Sequence, residues 1–245
     1  DEWISNRDVR SAIEQFKDKI LGKDSFEYDK FEEISDEMDG SDSDIDIADK
    51  MITSGAFKND LVIGAETLTR LTDWSDRNTC VLFGDAAGAL ILSTSDKDNV
   101  KDIICGSISD EQLYLVRKNS DLKVPEINAV SEQDHIHMNG REVFKFATRI
   151  MPKVINDLLE RNEYNKEDIN YVVAHQANQR IIDKASRDVG IGMEKMFLNI
   201  HKYGNTTSAT LPLLLNDYET KLKKGDNLIF AAFGGGFTWG SIYLK

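Results

Sequence analysis

Three short polar sequences interrupt the apolar runs near the C-terminal end of the chain, and they contain the residue types best suited to chemistry. They read HQAN at 175–178, HKYGNTT at 201–207 and GGGFTW at 234–239. The first brings His175 to the end of a strand-like run, the second brings Asn205 into a loop, and the third offers backbone N–H groups. Together they predict a reaction centre assembled from distant parts of the sequence.

Each of these features also has a structural interpretation that the sequence leaves open. A histidine at the end of a buried strand is often a hydrogen-bonded structural residue rather than a catalyst. Asn205 lies between a glycine and two threonines, a setting that also favours a left-handed turn followed by a helix N-cap. The glycine triplet at 234–236 is typical either of a bulge or of a close approach between backbone and ligand.

A neutral imidazole and a carboxamide share one chemical use, because two uncharged N–H donors can hold one oxygen that gains negative charge. Such a pair, here His175 and Asn205, suits the enolate that forms when a malonyl thioester loses carbon dioxide. A backbone N–H from the glycine loop suits a second oxyanion, that of an acyl thioester under attack. The sequence has neither a G-x-S-x-G hydrolase motif nor the histidine and carboxylate spacing typical of a zinc site.

Helix-like and strand-like segments alternate along the chain, and they predict an α/β fold with a mixed sheet covered on both faces. Predicted strands lie at 61–65 (buried on both faces), 79–83, 89–93, 102–108, 113–116, 169–174, 227–233 and 240–244, with a hairpin turn at 84–88. Predicted helices lie at 9–21, 45–55, 143–159, 179–189 and 207–222. We expect Pro152 to break or kink its helix and Gly190 to end the helix before it.

The composition is that of a globular protein with one large core or two joined halves. Of the 245 residues, 40% are hydrophobic and 30% charged. No apolar run reaches the roughly 18 residues that a membrane helix needs, and no leader is recognisable, so we expect a cytoplasmic protein. The net charge of −13 leaves no basic face for nucleic acid. Two cysteines, Cys80 and Cys105, are too few for a disulfide framework or a cysteine-rich zinc site.

Most of the negative charge lies in the first 50 residues, which hold 17 acidic against 7 basic side chains. The densest part, residues 24–46, is poor in aliphatic side chains, as is typical of a solvated segment. It does not match a calcium loop around Gly40, because Ser35 would stand at the first ligand position and Asp46 at the closing glutamate. The segment is therefore left without an assigned role.

From about residue 47 to residue 245 the chain resembles β-ketoacyl-acyl-carrier-protein synthase III, the initiating condensing enzyme of type II fatty acid synthesis. The resemblance rests on SGAFKN at 54–59, FGDAAGA at 83–89, HQANQR at 175–180, YGNTTSA at 203–209 and the glycine loop at 234–240, with DEWI at 1–4 as a further match. It implies a thiolase-like fold of two similar halves, layered α-β-α-β-α, that works as a homodimer. Residues 1–94 would be a truncated or divergent N-terminal half, and residues 95–245 the C-terminal half that carries His175 and Asn205.

The resemblance also implies roles for single residues. It makes His175 and Asn205 the catalytic pair and Gly235 the backbone oxyanion donor. Substrate contacts fall on Trp3 and Arg7 for coenzyme A, on Phe83 for the acyl pocket, and on Arg77, Gly140, Phe144 and Asn178 for the pantetheine tunnel. Arg180, Lys184 and Arg187, at i, i+4 and i+7 of one helix, would receive the acidic carrier protein, although such a stripe is also typical of a solvated helix face.

The implied reaction is the decarboxylative Claisen condensation of an acyl-CoA, such as acetyl-CoA, with malonyl-acyl carrier protein, which starts fatty acid biosynthesis. Both substrates are thioesters, one of coenzyme A and one of phosphopantetheine. Electron pairs move only between carbon, oxygen and sulfur, so we expect neither a metal nor a redox cofactor.

The sequence departs from the family at the nucleophile, a cysteine at the start of a helix whose N-terminus lowers the thiol pKa. That place falls near MDG at 38–40, which contains no cysteine. Cys80 and Cys105 are predicted to lie in strands as ordinary buried residues and cannot replace it. Three interpretations stay open: part of the N-terminal half is missing from this sequence, the chain decarboxylates malonyl thioesters without condensing them, or it only binds thioesters and carrier protein. Unpaired sheet edges left by such a loss favour the first.

Overall fold

A four-stranded sheet with helices on both faces positions the candidate residues. The computed structural model describes residues 41–117 and 135–245. In chain order the helices and strands are α1 (Ser41–Thr53), β1 (Asn59–Thr67), β2 (Asp85–Ser93), β3 (Val100–Ser107), β4 (Leu115–Arg117), β5 (Ile136–Met138), α2 (Gly140–Arg161), β6 (Tyr171–Ala174), α3 (Gln179–Val189), α4 (Ile200–Tyr203), α5 (Thr210–Tyr218), β7 (Leu228–Gly234) and β8 (Thr238–Leu244). The predicted α/β class is therefore confirmed for this part of the chain.

The four-stranded sheet runs in the order β3-β8-β7-β6. Strands β6 and β7 are parallel, with Tyr171 opposite Leu228, whereas β7 with β8 and β8 with β3 are antiparallel. Val172 and Ala174 pack into the cluster formed with α2 and α3, while Val173 between them packs into the cluster formed with α1 and α5. Because both faces are covered, β6 and β7 need continuous apolar runs, which is how their sequences read.

Helices α2 and α3 cover one face of this sheet, and both begin at an asparagine cap. The Oδ1 of Asn139 accepts the Glu142 N–H at 3.3 Å, and α2 then continues through Pro152, whose ring is buried, to Arg161. The helix is therefore not broken at Pro152, while the alternative, a kink there, stays a prediction. Helix α3 has the predicted bounds, and Gly190 ends it in the left-handed conformation, with a φ of +81°.

Strands β1 and β2 form a separate antiparallel hairpin in the N-terminal part of the chain, with Asn59 opposite Ser93 and Gly64 opposite Gly88. The prediction that β1 is buried on both faces is wrong, because most of its residues are half-buried and only Gly64 is fully buried. A third pair, β4 with β5, is short and antiparallel. The boundary predicted at residues 94 and 95 falls between the hairpin and the central sheet, and the division into halves stays a prediction.

The predicted strand at 79–83 and the predicted hairpin turn at 84–88 are both wrong. Residues 79–82 form a turn, in which the Asp76 carbonyl accepts the Cys80 N–H at 3.0 Å and the Asp76 carboxylate accepts the Asn78 N–H at 2.9 Å. These local hydrogen bonds outweigh the strand propensity of the sequence TCVLF. Residues 85–88 belong to β2 itself, whose partner is β1.

Several predictions concern residues outside the described part of the chain. They are the helix at 9–21, the acidic segment up to residue 40, the expected place of the nucleophile at 38–40, and the substrate contacts of Trp3 and Arg7. The last residues of the acidic segment, 41–46, form the first turns of α1.

Candidate active site

His175 directly follows β6 and is held by the sheet. Its backbone N–H donates to the Ala231 carbonyl at 2.8 Å, which continues the pairing with β7 by one residue. The side chain is 8% exposed, and its ring meets the Phe233 ring edge-on with centroids 5.4 Å apart. Burial lowers the pKa of His175 to about 4, because the imidazolium would lose its hydration. The imidazole is therefore neutral at pH 7 and has one N–H to donate.

Gln176, the next residue, ties this strand end to the segment that leads to Asn205. Its Nε2 donates to the carbonyls of Ala174 at 2.9 Å and Phe197 at 3.1 Å, and its Oε1 accepts the N–H groups of Asn199 at 3.1 Å and Ile200 at 3.2 Å. The residue is 1% exposed. The sequence prediction missed this role, although a glutamine between two buried apolar segments was a signal, because a buried carboxamide must find several partners.

Asn205 lies in the loop after α4 and is fixed at both its backbone and its side chain. Its N–H donates to the Leu82 carbonyl at 2.8 Å, and its carbonyl accepts the Gly84 N–H at 2.9 Å. The side-chain Oδ1 accepts the Thr207 N–H at 3.0 Å. Because Oδ1 accepts this backbone N–H, the Nδ2 group at the other end of the carboxamide points in a different direction. Nδ2 is the donor end of the side chain.

The glycine loop between β7 and β8 is held by the residues that follow β3. The Gly236 carbonyl accepts the Asp110 N–H, and the Phe237 carbonyl accepts the Ile108 N–H, both at 2.8 Å. The Gly235 carbonyl accepts the Thr238 hydroxyl at 3.0 Å. The loop therefore has a defined backbone conformation, as an oxyanion donor needs.

His175 and Gly235 directly follow the adjacent parallel strands β6 and β7. The side chain of Gln176, next to His175, binds the N–H groups of Asn199 and Ile200 at the start of the helix that precedes Asn205. The convergence of the three predicted catalytic residues on one ligand oxygen stays a prediction.

The predicted substrate contacts are distributed over three places. Arg77 is exposed in the turn before β2, and half-buried Phe83 forms a bridge with Asn205. Gly140 is the exposed first residue of α2, and Phe144 lies half-buried one turn later. Asn178 is the N-cap of α3, where its Oδ1 accepts the Arg180 N–H at 2.9 Å. The Arg180 guanidinium lies over the Phe144 ring, 5.3 Å from its centroid, so the beginnings of α2 and α3 meet.

The basic stripe predicted on α3 is present, although its members differ in their pairing. Arg180 and Arg187 are exposed, whereas the Lys184 ammonium lies 2.6 Å from the Asp188 carboxylate. The adjacent helix α2 adds a second basic series at every fourth residue, which the sequence prediction missed, namely Arg141, Lys145 and Arg149, all exposed. Lys145 is paired with Glu142 at 2.6 Å.

The prediction that both cysteines are buried in strands is wrong for Cys80, and for Cys105 the strand is confirmed but the burial is wrong. Cys80 lies in the turn at 79–82 and is half-buried, and Cys105 lies in β3 opposite Gly240 but is exposed. Within residues 41–117 and 135–245, no group of three or more His, Cys, Asp or Glu side chains is placed to hold a metal ion. None of the helices described there has the length and apolar character needed to cross a membrane.

Comparison with known proteins places both parts of the chain in one family. The protein-family model of 3-oxoacyl-[acyl-carrier-protein] synthase III matches residues 33–109, and the family model of its C-terminal domain matches residues 159–245. The chain is 41% identical over 224 residues to β-ketoacyl-[acyl-carrier-protein] synthase III of Clostridium tetani, covering 87% of this chain and 67% of that protein. The identity to the same synthase of Clostridium perfringens is 41% over 234 residues, covering 94% and 71%.

Solved structures of such synthases have the same fold. The synthase III of Aquifex aeolicus VF5 superposes with a TM-score of 0.73 at 40% identity, covering 82% of this chain and 62% of that one. The enzyme of Thermus thermophilus gives a TM-score of 0.76 at 33% identity, covering 84% and 64%. The chain thus spans about two thirds of the length of its relatives. It belongs to the 3-oxoacyl-[acyl-carrier-protein] synthase III family and has the thiolase-like α/β fold of that family.

Proposed function

We propose that the chain is a β-ketoacyl-acyl-carrier-protein synthase III, an acyltransferase that condenses an acyl-CoA with malonyl-acyl carrier protein to initiate fatty acid biosynthesis. Family membership supports the reaction class. The observation that carries the proposal is that burial keeps His175 neutral at a strand end, while Thr207 engages the oxygen end of the Asn205 carboxamide. Two uncharged donors are what an enolate oxygen requires.

In the decarboxylation step, the bond between the malonyl carboxylate and its α-carbon breaks and releases carbon dioxide. The electron pair moves into the thioester, so that the carbonyl oxygen becomes an enolate oxygen. The imidazole N–H of His175 and the Nδ2 of Asn205 stabilise this charge as it forms. Neutral donors are suitable because a charged imidazolium would tend to protonate the enolate carbon and stop the reaction at an acetyl thioester.

In the condensation step, the enolate carbon attacks the carbonyl carbon of an acyl thioester, and the Gly235 N–H holds the resulting oxyanion until the thiolate leaves. The family resemblance puts that acyl group on a cysteine near residues 38–40, where this sequence has none. This observation favours a second candidate function, decarboxylation of malonyl thioesters without condensation.

The substrates and partners follow from the same proposal. Acyl-CoA and malonyl-acyl carrier protein would enter beside Phe144 and Asn178, and the acidic carrier protein would bind at Arg180 and Arg187. We further propose that the protein acts as a homodimer in the cytoplasm and uses no metal or redox cofactor, since both steps move electron pairs within the thioesters.

The test measures carbon dioxide release from malonyl-CoA and from malonyl-carrier protein by the purified chain and three variants. We expect His175→Ala and Asn205→Ala each to lower the rate by about 10² or more, as removal of a transition-state donor does. His201→Ala, which removes an exposed histidine, is the matched control and should keep the wild-type rate. Equal rates for His175→Ala and the wild type would overturn the proposed decarboxylation centre.

Intact mass spectrometry after incubation with acetyl-CoA separates the two candidate functions. A covalent acetyl adduct together with a β-ketoacyl product supports the synthase. Carbon dioxide release without an adduct supports the decarboxylase. Binding of malonyl-carrier protein with neither adduct nor carbon dioxide contradicts both, and leaves a protein that only binds thioesters.

A further inference from the structure

Strand β1 contacts the segment after Asn205 through one carboxylate. The Glu66 Oε1 accepts the Ser208 hydroxyl at 2.5 Å and the Ser208 N–H at 3.3 Å. Gly64, two residues earlier and therefore on the same face of the strand, is so near that a Cβ there would lie 2.6 Å from the Ser208 carbonyl carbon. The hairpin and this segment are thus in direct backbone contact, although 142 residues separate Glu66 from Ser208.

A short path of hydrogen bonds leads from Glu66 to the Asn205 side chain. Ser208 is the middle residue of the 3-10 turn Thr207–Ala209, and the first N–H of this turn binds the Asn205 Oδ1. Thr207 has a φ of +41°, in the left-handed region that a β-branched residue seldom adopts. Such a conformation persists only where its surroundings hold it in place. Glu66 holds the residue directly after it.

We propose that Glu66 is a positioning residue for Asn205, an inference that rests on the function proposed above. By holding both donors of Ser208, the carboxylate fixes the Thr207 N–H, which in turn directs the Nδ2 of Asn205 toward the thioester oxygen. Its negative charge also lies at the N-terminal side of the turn that leads into α5, where the peptide dipoles favour an anion. Glu66 contacts no reacting atom, so its effect is confined to geometry.

This role predicts a specific pattern of kinetics in decarboxylation of malonyl-CoA. Displacing a donor by about 1 Å can cost 10²-fold in rate, so we expect Glu66→Ala to lower kcat about tenfold or more with little change in KM. Glu66→Gln keeps an acceptor oxygen for Ser208 and should return kcat to within about threefold of the wild type. Ser208→Ala removes only the hydroxyl donor and should give an intermediate kcat. Glu219→Ala, at an exposed glutamate, is the control and should match the wild type.

A double-mutant cycle decides whether Glu66 acts through Asn205. In the Asn205→Ala background, Glu66→Ala should lower kcat no further, because the group that it positions is gone. An equal loss in both backgrounds, or a lowered melting temperature with unchanged kcat, would overturn the inference. If Glu66→Ala does not fold, Ser208→Ala combined with Asn205→Ala provides the same cycle.

The two proposals fail in distinguishable ways. If Asn205→Ala itself leaves decarboxylation unchanged, the proposed function is wrong, and the inference falls with it. If Asn205→Ala abolishes decarboxylation while Glu66→Ala and Ser208→Ala keep the wild-type kcat, only the inference is wrong.

Discussion

Asp217 on α5 lies 3.1 Å from the ammonium of Lys202 on α4, and this is one of three contacts through which Asp217 helps to hold α4 in place. The same carboxylate accepts the Asn199 Nδ2 at 3.2 Å and the Tyr203 hydroxyl at 3.1 Å. It is 11% exposed at the side chain. One carboxylate therefore anchors both ends of the short helix whose last residue stands two positions before Asn205.

Asp217→Ala should lower the free energy of unfolding by about 2 kcal/mol at pH 7, as loss of hydrogen bonds to a charged group does. Burial alone would raise the pKa of Asp217, but the hydrogen bonds from Lys202, Asn199 and Tyr203 hold it below its ordinary value. The stabilisation is therefore present at neutral pH and is lost as the pH falls through that lowered pKa. Urea unfolding at pH 7 and pH 3 checks this, because the difference in unfolding free energy between the variant and the wild type should be smaller at pH 3 than at pH 7. Asp96→Ala, at an exposed aspartate, should show no such difference at either pH.

The low pKa of His175 predicts how activity and stability depend on pH. The imidazole stays neutral above about pH 4. Titration of this residue should therefore cause no change in the rate of decarboxylation near pH 6.5. The unfolded chain binds the proton near pH 6.5, so the wild type should lose about 2 kcal/mol of unfolding free energy between pH 7.5 and pH 5. Urea unfolding at pH 7.5 and at pH 5 should show that His175→Gln loses less unfolding free energy between these two pH values than the wild type does. An equal loss in the two proteins would contradict the buried neutral imidazole.

Charge reversal on α3 should distinguish the two malonyl substrates. Arg180→Glu and Arg187→Glu should each lower kcat/KM for malonyl-carrier protein about tenfold through the lost attraction, with a much smaller effect on malonyl-CoA. Lys184→Glu should have less effect than either, because Asp188 already pairs with its ammonium. The measurement is repeated at high salt, which should reduce the differences. Lys224→Glu makes the same charge change at another exposed site, and an equal loss there would exclude a specific carrier surface.

The parts of the fold that could be predicted are those whose signals are local. The bounds of α3 were predictable because Asn178 and Gly190, its two ends, carry their capping preferences in their own chemistry. Strands β6 and β7 were predictable because burial on both faces demands an apolar run. The strand prediction at 79–83 was wrong because the β-branched and aromatic residues there suit a strand, whereas the preceding Asp76 and Asn78 form the hydrogen bonds of a turn.

The candidate site was only partly predictable for a similar reason. His175 and Asn205 could be selected by type and setting, but the neutral state of the imidazole depends on burial that no local pattern gives. Gln176 and Glu66 were missed because their partners, Asn199 and Ser208, are distant in the sequence. A role that consists of holding another segment becomes visible only when both segments are in place.

Gly84 lies between the turn before β2 and the Asn205 loop, where its N–H donates to the Asn205 carbonyl at 2.9 Å, and it gives the last prediction. A Cβ on Gly84 would lie 2.0 Å from the Tyr203 carbonyl oxygen, a backbone atom that no rotamer change can move. Gly84→Ala must therefore displace the loop and stretch the hydrogen bond from its N–H to Asn205, at a cost of about 3 kcal/mol. Decarboxylation should fall with it, because Asn205 moves. For stability, Gly140→Ala is the matched control, since a Cβ there would lie 3.6 Å from its nearest atom, the Met138 Cε, and alanine suits a helix start. Thermal unfolding of both variants and carbon dioxide release by Gly84→Ala check the prediction, and equal stability of the two variants would refute the close contact.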